Sequence, residues 1–317
     1  MSTVRFCDKD FPLDAEKVFC VNWDVDDLSP LAQLTELREL SIAITDPHGF
    51  YEHTVSDVAA LAGLTKLEVI ELPGCPITDL TGLAGLTNLR ELDLRDSEAT
   101  DLSALAGLSQ LTKLNLIASP ATDLSPLAQL NNLTTLNLSG SAVSDVSPLS
   151  GLAQLSGLEL RRSKVSDLSA IADVLGGAVE LDLTETNVQT LAGLEKATKL
   201  QALTLINTPI TDISAISGAT NLRRLALDHT QVSDLSPLAG LTKLEMLTIT
   251  HTPVADISAL SGATELQQLH MQGTQVSDLT ALMRMAKLIV VNATGLTVPR
   301  QQVADLKLAL PELVIAQ

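Results

Sequence analysis

The sequence predicts an α/β solenoid, a stack of similar coils that each add one short strand to a parallel β-sheet and one short helical turn. A unit of 22 residues recurs along most of the 317-residue chain, as in the unit that begins at Leu222 and the next one at Leu244. The unit that begins at Leu222 reads L-x-x-L-x-L and then D-L-S-P-L-A-G-L, and the others follow this pattern with substitutions. The composition is 45% hydrophobic but only 2% aromatic, as expected when many identical aliphatic layers form the core.

The first half of the unit predicts the strand. In L-x-x-L-x-L the leucines point inward while the residues between them face solvent. Stacked coils then form a parallel sheet. In D-L-S-P-L-A-G-L the serine is a suitable N-cap and the proline suits the first helical position. Since about six residues are available, a 3₁₀ turn on the convex side is expected.

The repeats are expected to form one domain that spans residues 1–317. They occupy residues 15–296 and make about 12 coils. Successive units begin at Leu67, Leu89, Leu111, Leu133, Leu155, Ala178, Leu200, Leu222, Leu244, Leu266 and Leu288. The step from Leu155 to Ala178 is 23 residues, which predicts a local irregularity over residues 173–191.

The N-terminal part departs from the repeat. Residues 1–14 are expected to be a cap, with a strand at residues 4–6 that hides the open edge of the first coil. Four aromatic residues are expected to fill the end of the core: Phe6, Phe11, Phe19 and Trp23. An insertion near residues 44–53 predicts a protruding loop, and its Phe50 and Tyr51 either anchor a partner or pack back on the solenoid.

The C-terminal part also departs from the repeat. Residues 297–317 are expected to be a helix-strand cap, with a helix that begins at Pro299 and ends at Leu310. Val303 and Leu306 lie on one face of this helix, and residues 313–315 are expected to be a last strand. Terminal repeats of solenoids differ from internal ones because they cover the core.

An aspartate column accounts for much of the net charge of −18. One Asp precedes the helical turn of most units: Asp27, Asp57, Asp79, Asp101, Asp123, Asp145, Asp167, Asp212, Asp234, Asp256 and Asp278. Each can accept hydrogen bonds from backbone N–H groups of the turn, as Asx residues do. The alternative is a calcium site, but one carboxylate per coil falls short of the roughly 6–8 oxygens that calcium takes.

The repeat pattern L-x-x-L-x-L-x-x-[S/T]-x-[V/I/A]-x-D-[L/I]-S-[P/A]-L-A-G-L-T resembles the 22-residue leucine-rich repeats of the bacterial internalin-type proteins over residues 15–296. The resemblance implies a curved, protein-binding solenoid with its parallel sheet on the concave side. Small residues replace the usual ladder asparagine, as in Cys75, Ser97 and Thr230. Because no export signal or surface anchor is recognised, an adhesive or invasive role is not inferred.

No sequence pattern predicts a catalytic residue, a cofactor or a metal. There is no glycine-rich phosphate loop, H-E-x-x-H or paired-cysteine motif. His229 and His251 occupy the same place in adjacent coils, so they are expected about 5 Å apart along the sheet. They are either solvated ladder residues or part of a zinc site, which would need at least three protein ligands.

The predicted function is a non-enzymatic scaffold for protein–protein interaction. The partner is expected on the concave face and the insertion loop, at Phe50, Tyr51, Glu71, Glu91, Asp93, Arg95, Glu159, Arg161, Glu180, Asp182, Arg224, Asp228, His229 and His251. This face mixes both signs of charge and lacks the basic stripe that nucleic acid requires. It suits selection of a protein partner by charge, although each residue could also be no more than a solvated surface group.

Two alternatives remain open. One is an inhibitor or immunity protein that wraps a basic enzyme, and the other is the recognition half of a split enzyme with a histidine-containing site. No apolar stretch is long enough to span a membrane and three cysteines are too few for a disulfide framework, so a cytoplasmic location is expected. Whether Cys7 and Cys20 pair is left open.

Overall fold

The computed structural model describes residues 3–21, 24–43 and 54–316. The chain divides into two compact units, Met1–Glu159 and Leu160–Gln317. In each unit the described strands form a seven-stranded parallel sheet in which sequence neighbours pair.

The first unit contains a hairpin and its sheet. Strands β1 (Thr3–Phe6) and β2 (Lys9–Pro12) form a separate antiparallel pair. The parallel sheet consists of β3 (Lys17–Val21), β4 (Glu39–Ala43), β5 (Val69–Glu71), β6 (Glu91–Asp93), β7 (Lys113–Asn115), β8 (Thr135–Asn137) and β9 (Gly157–Glu159).

The second unit repeats this arrangement and adds two helices. Its sheet consists of β10 (Glu180–Asp182), β11 (Ala202–Thr204), β12 (Arg224–Ala226), β13 (Met246–Thr248), β14 (Gln268–His270), β15 (Val290–Asn292) and β16 (Val314–Ala316). The helices are α1 (Ala172–Leu175) and α2 (Arg300–Ala309). The predicted C-terminal helix and strand are therefore confirmed.

The repeat spacing places one leucine of each strand against the same leucine of the next. Leu92 pairs in register with Leu114, and Leu114 with Leu136. These three side chains are at most 2% exposed. Full burial of a leucine stabilises a fold by roughly 1.5–3 kcal/mol, so the column of leucines is a main source of stability.

The helical turns are 3₁₀, as expected, and the described residues contain twelve of them: Ser29–Gln33, Ala59–Leu61, Thr81–Leu83, Ser103–Leu105, Ser125–Leu127, Ser147–Gly151, Ser169–Ile171, Leu194–Lys196, Ser214–Ile216, Ser236–Leu238, Ser258–Gly262 and Thr280–Arg284. The prediction that serine is the N-cap is wrong. In Ser125–Leu127 the N-cap is Leu124, and Ser125 is the first residue inside the turn.

The capping role belongs to the aspartate column. Oδ1 of Asp145 accepts a hydrogen bond from the backbone N–H of Ser147 at 2.8 Å. The same bond to the residue two positions on occurs at all eleven aspartates of the column, at 2.5 to 2.9 Å. Where the column carries Thr190 instead, its hydroxyl accepts from the N–H of Ala192 at 3.2 Å. The structural interpretation of the column is confirmed by these contacts.

A left-handed residue follows each strand from β5 to β15, which the periodicity did not predict. The small-residue column is the set of positions, such as Cys75, Ser97 and Thr230, at which a small residue replaces the ladder asparagine. Positive φ angles recur one position earlier in each coil: Gly74, Asp96, Ala118, Gly140, Arg162, Glu185, Asn207, His229, His251, Gly273 and Gly295. At a non-glycine residue this conformation costs roughly 1–2 kcal/mol. Bonds between coils offset that cost, as where the N–H of His229 donates to the carbonyl of Thr250 at 2.8 Å.

The hydrogen bonding of the small-residue column differs between its threonines and its serines. Thr186, Thr208, Thr230, Thr252 and Thr274 each donate a hydroxyl hydrogen bond to the carbonyl three residues earlier, at 2.7 to 2.8 Å. The buried hydroxyls of Ser97, Ser141 and Ser163 have no partner among the described residues. Threonine therefore satisfies this position better than serine does.

The N-terminal cap contains the expected strand and corrects one prediction. Strand β1 includes residues 4–6 and pairs only with β2 among the described strands, and its Val4 and Phe6 are buried. Phe19 does not fill the end of the core, because it is 46% exposed. A disulfide joins Cys7 to Cys20 and ties the hairpin to β3.

The predicted irregularity lies at α1. This one-turn helix follows the 3₁₀ turn Ser169–Ile171 and uses the additional residue of the 23-residue step. The N–H of Gly176 donates to the carbonyl of Ala172 at 3.0 Å and ends the helix.

Candidate functional site

The sheet of the first unit has two rows of residues, one on each side of the central buried row, and most of these residues face solvent. The first row is Lys17, Glu39, Val69, Glu91, Lys113, Thr135 and Gly157. The second row is Phe19, Ser41, Glu71, Asp93, Asn115, Asn137 and Glu159. Strand pairing puts neighbours within a row roughly 4.7–4.9 Å apart along the sheet.

A groove of about 230 Å³ lies on this face. Its lining is Glu71, Glu91, Leu92, Asp93, Lys113, Leu114, Asn115, Thr135, Asn137 and Glu159. Four carboxylates thus face one ammonium group, and that ammonium, Lys113, pairs with Glu91 at 2.8 Å. The structure brings Glu71, Glu91, Asp93 and Glu159 together as predicted from the sequence, and we call this lining the acidic groove.

The carboxylates of the acidic groove differ in how they are engaged. Asp93 accepts a bond from the backbone N–H of Arg95 at 3.0 Å and also binds its guanidinium group. This bond, followed by the charges of Asp93, Asp96 and Glu71, raises the pKa of Arg95. Glu159 accepts a bond from the side-chain amide of Asn137. Glu71 has no hydrogen-bond or ion-pair partner among the described residues, so it is the carboxylate most open to a ligand.

An apolar patch formed by Phe19 and Val21 lies on the same face, and it was not predicted from the sequence. Phe19 and Val21 are 46% and 45% exposed, whereas Val18 and Cys20 between them are buried. Phe19 begins the row that leads to Glu71. The alternation of strand side chains could have revealed it, because Phe19 holds the same place in its unit as the exposed Glu71 does in a later one. Phe19 therefore belongs to this face of the sheet and not to the end of the core.

The sheet of the second unit carries a separate set of predicted residues. Arg224 reaches across β11 to pair with Glu180 at 2.7 Å. The residue between them in the row is Ala202, whose small side chain leaves room for that span. Asp182 accepts a bond from the backbone N–H of Thr184 at 2.8 Å, so its carboxylate shapes the end of β10.

Two arginines follow β9 in sequence and belong to the second unit. Arg162 pairs with Glu185 through two hydrogen bonds of 2.9 and 3.1 Å. This bond and the charges of Arg162 and Arg161 lower the pKa of Glu185. Arg161 is exposed. The Arg162–Glu185 ion pair joins two neighbouring coils, which is a structural role.

The histidines stack as predicted. The ring centroids of His229 and His251 are 4.8 Å apart with a 32° angle between the ring planes. The adjacent Asp228 accepts a bond from the N–H of Thr250 at 2.8 Å and another from the hydroxyl of Thr248. Its carboxylate therefore joins two coils.

Several expected features involve other parts of the chain. Phe50 and Tyr51 lie outside the described residues. Among the residues that are described, no three His, Cys, Asp or Glu side chains come close enough to hold a metal ion. Burial raises the pKa of the Cys75 thiol to about 12, so it is protonated at neutral pH. Neither described helix has the length and apolar character needed to cross a membrane.

Comparisons with known proteins bear on the whole fold. The family described as Leucine Rich repeats (2 copies) matches residues 220–262. An internalin (inlF) from Listeria monocytogenes is 27% identical, with 96% of this chain and 87% of that chain covered and a TM-score of 0.85. A leucine-rich repeat protein of Leptospira interrogans is 20% identical, with 91% and 74% covered and a TM-score of 0.79. No curated protein sequence matches the chain.

A plant structure shows the same fold at lower identity. It is the leucine-rich repeat ectodomain of the membrane receptor kinase GASSHO1/SCHENGEN3 from Arabidopsis thaliana, in complex with CASPARIAN STRIP INTEGRITY FACTOR 2. The two chains are 16% identical, with a TM-score of 0.74, and the match covers 96% of this chain and 38% of that one. Parallel sheets, 3₁₀ turns and these similarities establish an α/β leucine-rich repeat solenoid.

Proposed function

Starting from a leucine-rich repeat protein that resembles the internalins, we propose that this chain is a scaffold that binds a protein partner with a basic surface. The acidic groove is the observation that carries the proposal. Four carboxylates and one lysine line a groove open to solvent, so the net negative charge of the groove attracts a cationic side chain of a partner. The plant receptor ectodomain of the same fold is in complex with CASPARIAN STRIP INTEGRITY FACTOR 2, which supports binding as the general role.

Charge in the groove acts chiefly on the rate and selectivity of association. Carboxylates around a docking surface attract basic partners and repel acidic ones, while their net effect on affinity depends on how far they are desolvated. The chain's net charge of −18 extends the same preference beyond the groove. A basic enzyme held by an inhibitor or immunity protein is one form that such a partner could take.

The experiment compares two charge-matched variants. Glu71→Gln/Glu159→Gln removes two carboxylates of the acidic groove, and Glu98→Gln/Glu312→Gln removes two exposed carboxylates elsewhere. Each immobilised protein captures partners from a cell extract at low and at high salt. We expect that the wild type and the control variant retain a basic protein at low salt and release it at high salt. The groove variant should not retain this protein. Equal retention by the groove variant would refute the proposal.

We also propose that the scaffold acts without catalysis. What supports this is the engagement of the polar residues that could take part in chemistry. His229 and His251 stack on each other, and Asp228 is used in bonds between coils. The free thiol of Cys75 is buried. A split enzyme would need a base, a nucleophile and a substrate position that converge.

The disulfide favours an oxidising compartment over the cytoplasmic location expected from the sequence. Disulfides persist where thiols are not kept reduced, and the Cys7–Cys20 bond belongs to the cap of the repeat sheet. Thiol labelling in intact cells tests this part of the proposal. Cys7 and Cys20 should resist labelling until a reductant is added. Rapid labelling of both without a reductant would support the cytoplasm.

A further inference from the structure

We propose that the partner segment that docks on the first unit is a short extended peptide in which Lys or Arg lies two or three positions from an apolar residue, in either direction. This rests on the proposed function and names the chemistry of the partner. The segment lies across strands β3 to β5, with its apolar side chain on Phe19 and Val21 and its cation at Glu71.

The apolar half of the site consists of the exposed side chains of Phe19 and Val21, and removing this apolar surface from water is favourable. Phe19 and Val21 project from the same side of β3, are 46% and 45% exposed, and flank the buried Cys20. On the next strand the row continues with Ser41, a small residue that is 8% exposed. Aromatic residues dominate the binding energy of many interfaces.

The polar half is set by Glu71. Phe19 pairs with Ser41 and Ser41 pairs with Glu71, so the ring and the carboxylate are two strand steps apart. Glu71 is exposed and has no hydrogen-bond or ion-pair partner among the described residues, whereas the next carboxylate in the row, Asp93, is held by Arg95. Charge complementarity therefore selects a cation at Glu71.

The strand spacing sets the spacing within the ligand. Two steps across a sheet span roughly 9.5 Å, and an extended peptide advances about 3.3 Å per residue. The cation therefore lies about three residues from the apolar side chain, or two when the long stem of Lys or Arg covers the remaining distance. A cation about four or five residues away would pass Glu71 and meet the Asp93–Arg95 pair.

A displayed library of random linear nine-residue peptides tests the proposal. The library is selected on the wild type and on Phe19→Ala, with peptides counted by sequencing. We expect enrichment of an apolar residue with Lys or Arg two or three positions away, only on the wild type. Enrichment without that spacing, equal enrichment on Phe19→Ala, or no enrichment would each overturn the proposal.

The best enriched peptide is then measured in solution. We expect Phe19→Ala to weaken its binding at least about tenfold. Glu71→Gln should weaken it about three- to tenfold at low salt and less at high salt. Leu308→Ala, at a side chain that is 82% exposed on α2, and Glu98→Gln are the matched controls, and both should change binding less than about twofold.

Two further readouts separate this inference from the proposed function. If the library fails while protein capture still depends on Glu71 and Glu159, the groove binds a folded surface and the linear segment is wrong. If sedimentation shows that the wild type self-associates and Phe19→Ala does not, a second copy covers the patch, which also overturns the inference. Thermal unfolding of each variant confirms that it is folded.

Discussion

The imidazole ring of His251 occupies the space in which a side chain of Gly273 would begin. A Cβ atom placed on Gly273 would lie 2.3 Å from Nδ1 of His251. Gly273 has a φ of +68°, and it occupies the same position in its coil as His251, with a φ of 57°, does in the preceding one. One histidine therefore packs over the next coil only because that coil has no side chain there.

Gly273→Ala should destabilise the protein by about 2 kcal/mol or more. Roughly 1 kcal/mol comes from the left-handed backbone and the rest from the collision with His251. Gly74→Ala, with a φ of +72° and open space around its Cβ, should show the backbone cost alone. Denaturant unfolding of both variants and of Gly273→Ala/His251→Ala measures the difference. A double variant no more stable than Gly273→Ala would show that the collision is not the cause.

Asp145→Ala should lower the free energy of unfolding by about 1 kcal/mol, because the N–H of Ser147 loses its acceptor. Capture of a partner should be unchanged, since this contact belongs to a turn and not to the acidic groove. Thermal unfolding with and without calcium completes the measurement. A large rise of Tm on addition of calcium would mean that the aspartate column binds the ion.

The aspartate column should also make stability depend on pH. Hydrogen bonds to the following residues lower the pKa of Asp27, Asp79, Asp123, Asp167, Asp234 and Asp278. A carboxyl with a lowered pKa in the folded state contributes stability that is fully present above its unfolded pKa of about 3.9 and is lost as pH falls through the folded value.

Unfolding between pH 6 and pH 2.5 at high salt measures this dependence, because salt screens the general repulsion among the acidic residues. Stability should fall below about pH 4, with proton uptake on unfolding. Asp234→Asn should take up less than the wild type by up to one proton. Stability that stays level down to pH 2.5 would contradict the interpretation.

The hydroxyl column should distinguish threonine from serine. Thr230→Val keeps the shape but removes the 2.7 Å bond to the carbonyl of Leu227, and it should cost about 1 kcal/mol. Ser141→Ala removes a buried hydroxyl without a partner among the described residues and should be within about 0.5 kcal/mol of the wild type. Equal losses in the two variants, measured by denaturant unfolding, would argue against the assigned bonds.

Reduction of Cys7–Cys20 should destabilise the protein by about 2–3 kcal/mol, since the bond closes a loop with a sequence separation of 13. The double variant Cys7→Ser/Cys20→Ser should reproduce the loss and show no further effect of reductant. Cys75→Ser is the control for the free thiol. If the Tm of the wild type is the same with and without reductant, the Cys7–Cys20 bond does not contribute to stability.

The sequence by itself determined the repeating part of this protein. Leucine spacing located the strands and the inward rows, and the Asp-Leu-Ser-Pro pattern located the 3₁₀ turns. It also located four carboxylates that the sheet brings to one groove: Glu71, Glu91, Asp93 and Glu159. These features follow from the sequence because the contacts of one coil are nearly the same as those of the next.

Only the tertiary structure decided which of those groups remain available and what lies beside them. Asp93 is held by Arg95, while the carboxylate of Glu71 has no hydrogen-bond or ion-pair partner among the described residues, and Phe19 is turned to solvent instead of the core. The left-handed residues, the Cys7–Cys20 bond and the fit of His251 over Gly273 likewise depend on segments that meet in space. A period reports what every coil shares, whereas these contacts depend on which particular residues become neighbours when the coils stack.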